Sequence, residues 1–166
     1  MKYLVEHLDS EEVGEWTICE YEHICEVVGK HRAIFTNISS KIRKLLPETL
    51  NLESKSANLL ITDPKRACLL DSKADKGLEP KDAELYDYIV CCGILGDDPP
   101  RDRTSSLRNF NFERRHLGDK QMTTDTAILC AKLILEEGRR LEDMQFVDGP
   151  EIATGEREEI LLFLSD

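Results

Sequence analysis

The sequence predicts an α/β domain with a mostly parallel sheet and helices on both faces. Short apolar runs alternate with longer amphipathic segments along the chain, which is the pattern of strands joined by crossover helices. Residues 87–92 hold a continuous apolar run, Tyr-Ile-Val-Cys-Cys after one acid, which is typical of a parallel strand buried on both faces. No repeat or second-domain boundary interrupts the 166 residues, so we expect one domain spanning residues 1–166.

The first half of the chain predicts two strands and three helical segments. Strands are expected at residues 2–6 and 32–36, and a helix at 15–28 that Gly29 ends. Ser39 or Ser40 caps a short helix that ends at Pro47, and another turn is expected within residues 54–61.

The second half predicts the centre of the sheet and the strongest helix. We expect strands at residues 67–70, 87–92, 113–117 and 144–147, and a polar connector at 71–81. Thr123 or Thr124 caps the helix expected at residues 125–139.

The charge of the chain is strongly acidic but uneven. The net charge is −11 and the pI about 4.9, yet residues 101–120 hold six bases against three acids, giving +3 there and −14 elsewhere. An acidic surface repels phosphate backbones, so general affinity for nucleic acid is not expected, whereas a basic protein partner suits it. The local basic segment indicates either an anionic ligand group or paired structural charges.

Several classes of protein are excluded. No run approaches the roughly 18 apolar residues of a membrane span, and the N-terminus does not resemble a signal peptide, so we expect a cytoplasmic protein with no membrane partner. The six cysteines have no zinc-ligand spacing, so we expect reduced, buried thiols and no metal.

Two loops have the composition of a ligand site. Residues 93–100 follow the central strand, where glycines let a ligand approach the backbone, and the Gly-Ile-Leu-Gly order suits a flat group such as adenine. No dinucleotide or P-loop motif is present. Residues 117–127 join a strand to the best helix and leave backbone amides free at the helix start, although an ordinary capped turn has the same features.

These two segments carry a family resemblance. Residues 117–127, Leu-Gly-Asp-Lys-Gln-Met-Thr-Thr-Asp-Thr-Ala, resemble the Leu-Gly-x-x-x-Leu-Arg-x-Glu-Thr-Ala segment of SPOUT methyltransferases, whose C-terminal trefoil knot binds S-adenosylmethionine. Residues 93–104, 115–118 and 121–127 are similar to one SPOUT branch, and so are residues 3–7, 15–16 and 146–151. That branch was first predicted to methylate RNA, and its yeast member is a protein-arginine methyltransferase acting on a small-subunit ribosomal protein.

The resemblance implies a fold, a cofactor and a set of site residues. A trefoil knot follows from it alone, since physical priors oppose knotted chains. S-adenosylmethionine is the implied cofactor, with Arg101 and Arg103 as clamps for its carboxylate. The remaining implied cofactor-binding residues are Gly93, Ile94, Leu95, Gly96, Leu117, Gly118, Gln121, Met122, Thr123 and Thr126.

Carboxylates near the sulfonium would neutralise or deprotonate a substrate arginine, whose pKa exceeds about 12. The candidates are Asp98 and Asp102, then Glu6 and Glu15, and the alternative for each is a surface acid paired with Arg101 or Arg103. Trp16 is interpreted as core in preference to a wall of the substrate pocket.

Two other functions stay open at this point. An RNA methyltransferase would use the same cofactor pocket and grip phosphate with Arg108, Arg114, Arg115 and Lys120. A non-catalytic cofactor-binding module of the same fold is the third candidate. A monomer is favoured over a homodimer. The segment at residues 159–166 departs from the Pro-Phe-Arg-Tyr stretch expected of the branch, which leaves the role of this tail open.

Overall fold

The computed structural model describes residues 1–8, 13–93, 102–120, 122–148 and 162–164. Within them, five strands form one parallel sheet in the order β2-β1-β4-β3-β5. The strands are β1 (Lys2–Glu6), β2 (Ala33–Thr36), β3 (Ala67–Leu70), β4 (Tyr88–Cys92) and β5 (Glu113–Arg115). The predicted parallel α/β fold is confirmed, and β4 is the central strand, as its unbroken apolar run predicted.

The helices agree with the predicted ones to within a few residues. They are α1 (Glu15–Val28), α2 (Ser40–Arg43), α3 (Ala57–Leu60) and α4 (Thr124–Glu137). The backbone of Gly29 has a φ of +91°, a conformation that stops α1 without the strain a side chain would bring. Ser39 caps α2 and Thr123 is the N-cap of α4, and each is one of the two adjacent residues that the sequence left open.

Short 3₁₀ helices fill several connections that the sequence did not predict. They have too few residues to show an apolar period, which is why sequence patterns miss them. In the described part of the chain they are Pro64–Arg66, Pro80–Glu84, Arg103–Phe110 and Leu141–Asp143.

Both faces of the sheet are buried. Tyr3 and Ile89 point to the face covered by α1 and α4, where they pack with Ile24 and Ile128. Their chain neighbours point the other way and pack with the 3₁₀ helix at Arg103–Phe110, through Leu107. Burying each such aliphatic side chain contributes about 1.5–3 kcal/mol relative to exposure. The side chains of β4 therefore need to be apolar whichever face of the sheet they point to.

The C-terminal part of the described chain adds a small antiparallel pair. Strand β6 (Phe146–Asp148) pairs with β7 (Leu162–Leu164). The strand expected at residues 144–147 is therefore present, shifted by one to two residues, whereas β7 was not predicted. Residues 149–161 lie outside the described residues, as do 94–101, so the trefoil knot stays a prediction.

Strand β5 ends at Arg115, two residues earlier than predicted. His116 makes an isolated parallel bridge with Gly77 in the connector after β3, and its backbone N–H donates to the Lys76 carbonyl at 2.9 Å. The chain then turns at Gly118, where φ is +85°. No helix among the described residues is long and apolar enough to span a membrane.

A buried ion pair ties β5 to the connector before β4. The Nε of Arg115 donates to Asp82 at 3.1 Å, and Arg115 is 8% exposed while Asp82 is 1% exposed. Asp82 also accepts the backbone N–H of Glu79 at 3.0 Å, which closes a capping box on the 3₁₀ helix at Pro80–Glu84. Removal of one partner would leave the other charge buried and uncompensated.

Asp82→Asn should therefore lower the free energy of unfolding by about 2–4 kcal/mol, because the Arg115 guanidinium loses its counter-charge away from water. Urea unfolding at neutral pH, followed by circular dichroism, measures this change. The matched control is Arg140→Gln, which removes the ion pair between Arg140 and Glu142. Their side chains are 71% and 72% exposed, so the free energy of unfolding should change by less than about 1 kcal/mol. Equal stabilities of the two variants would contradict the importance of the buried pair.

Candidate functional site

The larger cavity lies at the carboxyl ends of β3 and β5 and has a volume of about 410 Å³. Its walls are residues 70–73, 102–104 and 117–120, with Met122 and Ala127 from the start of α4. Ligands of open α/β sheets bind at this edge, and the volume falls within the roughly 300–1,000 Å³ of small-molecule sites. This cavity is the candidate ligand site.

An ion-pair network adjoins this cavity through the lining residues Asp71, Lys73 and Asp102. The Asp71 side chain is fully buried and accepts Arg108 Nε at 2.7 Å, Arg108 Nη2 at 2.8 Å and Arg114 Nη1 at 3.1 Å. The hydrogen bonds from Arg108 lower the pKa of Asp71 to about 2. Together with Arg115 on Asp82, these arginines are paired structural charges, which is one of the two alternatives that the sequence left open for the basic segment.

Asp102 belongs to the same network. It accepts Arg108 Nη1 at 2.8 Å and Lys73 Nζ at 2.7 Å, and the hydrogen bond from Arg108 holds its pKa below the usual range. Such a carboxylate is a weak proton acceptor, although it lines the cavity and keeps its negative charge. Its pairing with Arg108 follows the alternative named for the candidate acids, with a different arginine as partner.

The predicted cofactor residues divide into three groups. Leu117, Gly118, Met122 and Arg103 line the larger cavity. Gly93, Thr123 and Thr126 do not line it: Gly93 is buried at the end of β4, and the Thr123 hydroxyl donates to Thr126 Oγ1 at 2.8 Å. The others, with the catalytic candidate Asp98, lie outside the described residues, and they are Ile94, Leu95, Gly96, Arg101 and Gln121.

Glu6 and Glu15 lie elsewhere in the molecule. Glu6 is 3% exposed at the end of β1, where its carboxylate accepts the hydroxyls of Thr36 and Ser56 and the Ala57 N–H at 2.9 Å. It thereby joins β1, β2 and α3. Glu15 is exposed at the start of α1. Neither side chain is among the described walls of a cavity, so their catalytic roles stay predictions.

A smaller cavity of about 180 Å³ lies between α1 and the first turn of α4. Its described walls are Trp16, Cys19, Glu20, His23, Thr123 and Asp125. Trp16 is 47% exposed, so its preferred interpretation as a core residue is wrong. The indole forms a cavity wall because α1 turns its Thr17, Tyr21 and Ile24 positions toward the sheet instead.

Glu20 is the functional candidate that the sequence patterns missed. It is 5% exposed, and its Oε1 accepts the Thr124 N–H at 3.0 Å, while no described residue donates to Oε2. Burial, and then the nearby charge of Asp125, raise the pKa of Glu20 to about 7. The available sequence signal was an acid four residues before Ile24 on the buried side of α1.

His23 and Asp125 join the two helices at the mouth of this cavity. His23 Nδ1 lies 2.6 Å from Asp125 Oδ2, and the two side chains are 50% and 16% exposed. Asp125 also accepts the Thr126 N–H through Oδ1 at 2.9 Å. The carboxyl groups of Glu20 and Asp125 thus both lie at the start of α4, where the positive end of the helix dipole favours negative charge.

Comparisons with known proteins identify the family of this chain. Residues 2–164 match the family described as Protein arginine N-methyltransferase SFM1-like. Protein arginine N-methyltransferase SFM1 of Saccharomyces cerevisiae is 39% identical over an alignment of 176 residues, gaps included. The alignment covers 95% of this chain and 82% of that protein. The crystal structure of yeast SFM1 complexed with SAH superposes with a TM-score of 0.88 at 36% identity, covering 99% of this chain and 87% of that one.

More distant structures agree on the fold alone. The crystal structure of dual specific Trm10 from Thermococcus kodakaraensis has a TM-score of 0.64 at 12% identity, covering 86% of this chain and 96% of that one. The predicted SPOUT-like α/β fold is confirmed at this level.

The raised pKa of Glu20 predicts a pH dependence of stability. Because the folded state favours the neutral acid, this group contributes stability that is fully present below its ordinary value of 4.5 and is lost as the pH rises through about 7. Glu20→Gln, which keeps an oxygen for the Thr124 N–H, removes that loss. The free energy of unfolding of the variant, relative to the original protein, should therefore rise by about 2–3 kcal/mol between about pH 5 and pH 8.

Urea unfolding at several pH values gives the two stability curves. Glu22→Gln removes an exposed acid from the same helix, so its curve should run parallel to that of the original protein. If the curve of Glu20→Gln also runs parallel, Glu20 titrates like an exposed acid and the burial argument fails.

Proposed function

Because the chain belongs to the SFM1-like family of protein arginine N-methyltransferases, we propose that it transfers a methyl group from S-adenosylmethionine to an arginine of a small-subunit ribosomal protein. The observation that supports the activity is the match of the family to residues 2–164. It agrees with the position of the larger cavity, which lies at the sheet edge where this fold class binds ligands. The ribosomal substrate follows from the branch that residues 93–104 and 117–127 resemble.

The larger cavity fits the proposed cofactor in size and chemistry. Yeast SFM1 has been crystallised with SAM, SAH and MTA. In this chain, Leu117 and Met122 supply apolar surface for an adenine, and Ser72 and Thr104 supply hydroxyls. Arg103 at the same wall suits the cofactor carboxylate. The predicted cofactor residues that lie outside the described ranges remain part of the proposed site.

Methyl transfer depends mainly on the positioning of the two reactants and does not require a covalent intermediate with the protein. The cofactor supplies an electrophilic methyl group on a positively charged sulfur. An arginine Nη bonds to the methyl carbon, the carbon–sulfur bond breaks with its electron pair left on sulfur, and Nη releases one proton. Asp102, kept ionised by Arg108 and Lys73, offers a negative charge beside the cavity that favours the sulfonium. Asp98, Glu6 and Glu15 remain proposed helpers of the proton release.

The charges of the chain favour a basic protein over RNA as the acceptor. Outside residues 101–120 the chain carries −14, which repels phosphate and attracts basic segments. Arg108, Arg114 and Arg115 bind Asp71 and Asp82, so they offer little charge to a nucleic acid. Lys120, the fourth proposed phosphate contact, is exposed at the cavity rim.

Incubation with methyl-labelled S-adenosylmethionine and separated ribosomal protein and RNA fractions tests this function. We expect label in one protein of the small subunit, on arginine after acid hydrolysis. Label in RNA would replace the proposal with the RNA methyltransferase. Binding of the cofactor by calorimetry without label in either fraction would favour the non-catalytic module.

Ser72→Trp should abolish cofactor binding without unfolding the chain. Ser72 is exposed in the turn after β3 and lines the larger cavity, so an indole there fills the space without displacing core atoms. Calorimetry with S-adenosylmethionine should show at least about a 100-fold loss of affinity, or about 2.7 kcal/mol. The matched control is Ser105→Trp, an exposed position that does not line the cavity, and it should bind as tightly as the original protein. Binding retained by Ser72→Trp would place the cofactor elsewhere.

A further inference from the structure

The smaller cavity has a different character from the larger one. Its volume of about 180 Å³ is below the roughly 300–1,000 Å³ of sites for whole small molecules, so it suits the end of a single side chain. Glu20 and Asp125 line it, Asp125 is paired with His23 from the same wall, and no lysine or arginine is among its described walls, so Glu20 is the carboxylate with an oxygen left to bind a ligand. The cavity therefore favours a cation.

One carboxylate oxygen of Glu20 has no hydrogen-bond donor among the described residues. Its Oε1 holds the Thr124 N–H, but Oε2 is buried with no donor in the described part of the chain. A buried acceptor without a donor costs about 1–3 kcal/mol, so a purely structural residue at this position would be better replaced by glutamine or an apolar residue. A bound ligand with an N–H group at this point would recover that cost.

The aromatic wall narrows the ligand to a guanidinium. Trp16 is 47% exposed, and an indole face attracts cations. Guanidinium is planar, stacks on aromatic rings and presents several N–H donors in one plane, which suits a pocket lined by an indole and by carboxylates. A lysine ammonium is a compact, strongly hydrated charge and uses a flat wall less well.

The two cavities flank the same short segment. Met122 and Ala127 line the larger cavity, whereas Thr123 and Asp125 line the smaller one. The two cavities therefore adjoin at the start of α4, and a ligand in the smaller cavity lies next to the proposed cofactor site.

We propose that the smaller cavity, which we call the Trp16–Glu20 pocket, binds the guanidinium of the substrate arginine, with Glu20 as its buried counter-carboxylate. This inference rests on the proposed methyl transfer to arginine and extends it by assigning the acceptor subsite. Trp16 stacks on the guanidinium plane, and Oε2 of Glu20 accepts one of its N–H groups. A carboxylate on one nitrogen holds the positive charge there and leaves the other Nη free to meet the methyl carbon.

Glu20 also accounts for the proton. As Nη bonds to the methyl carbon and the carbon–sulfur pair passes to sulfur, the proton that Nη loses passes to Oε2 and then to solvent. Cys19, His23 and Asp125 are the other titratable side chains that line the pocket. The raised pKa of Glu20 supports this role, since an acceptor near neutrality takes and returns a proton readily.

The single tryptophan of the chain reports directly on this pocket. Trp16 is the one tryptophan in the sequence, so intrinsic fluorescence measures the indole in the pocket without any label. The titrants are N-acetylarginine amide, its neutral isostere N-acetylcitrulline amide, and N-acetyllysine amide with a free side-chain amine. We expect a saturable change with the arginine compound and at least about tenfold weaker responses to the other two. Equal responses to citrulline or lysine would overturn the assignment.

Two matched variants then separate the roles of the residues. Glu20→Gln keeps the oxygen that caps Thr124 but puts an NH₂ donor toward the guanidinium, so arginine-amide binding should weaken at least about tenfold. Its kcat/KM for the ribosomal protein fraction should fall about 100-fold or more, with cofactor affinity unchanged by calorimetry. Glu22→Gln, an exposed acid on the same helix, should match the original protein in every assay.

The outcomes distinguish this inference from the proposed function. If the original protein labels protein arginine and Glu20→Gln labels it equally well, the pocket assignment fails while the function stands. If the original protein labels no protein, the function fails, and the pocket assignment fails with it as an acceptor site. Loss of label by Glu20→Gln, with cofactor binding and fold retained, supports both.

Discussion

The parallel direction of all five strands is the constraint on which the molecule depends. Parallel strands place their carboxyl ends at one edge, so the turns after β3 and β5 and the start of α4 meet there and enclose the larger cavity. The same arrangement needs connections that cover both faces, which is why β4 is apolar on successive residues. The fold and the position of the ligand site therefore have a common cause.

Charge is used in this protein chiefly to hold those turns in place. Asp71 follows β3 directly and is bound by Arg108 and Arg114, which come from beyond β4 and from β5. Three chain segments that are distant in sequence are thereby joined at Asp71, which lines the larger cavity. Because Arg108, Arg114 and Arg115 are paired with buried carboxylates, they add little electrostatic attraction for phosphate and chiefly hold these turns together.

The contact between α1 and α4 joins the two proposed subsites. Glu20 caps the first turn of α4 through the Thr124 N–H while its second oxygen has no donor among the described residues. Packing alone would favour an apolar residue at this position, since a buried acid without full hydrogen bonding is destabilising. Glu20 therefore lowers the stability of the fold and lies next to the proposed cofactor cavity. Buried titratable groups of this kind are common at functional sites.

The sequence by itself determined the parallel fold, the central strand and the family, and narrowed the caps of α2 and α4 to two adjacent residues each, because alternation, capping residues and the two long motifs are all local patterns. It also placed Leu117, Gly118, Met122 and Arg103 at one site. Only the tertiary structure decided which charges serve the fold. Asp102 is paired with Arg108 and Lys73, and Glu6 joins β1 to Thr36 and Ser56, contacts that span up to 50 residues of chain. The roles of Glu20 and Trp16 likewise became visible only when α4 packed on α1, because the period of α1 indicates which residues face inward but not which groups they contact.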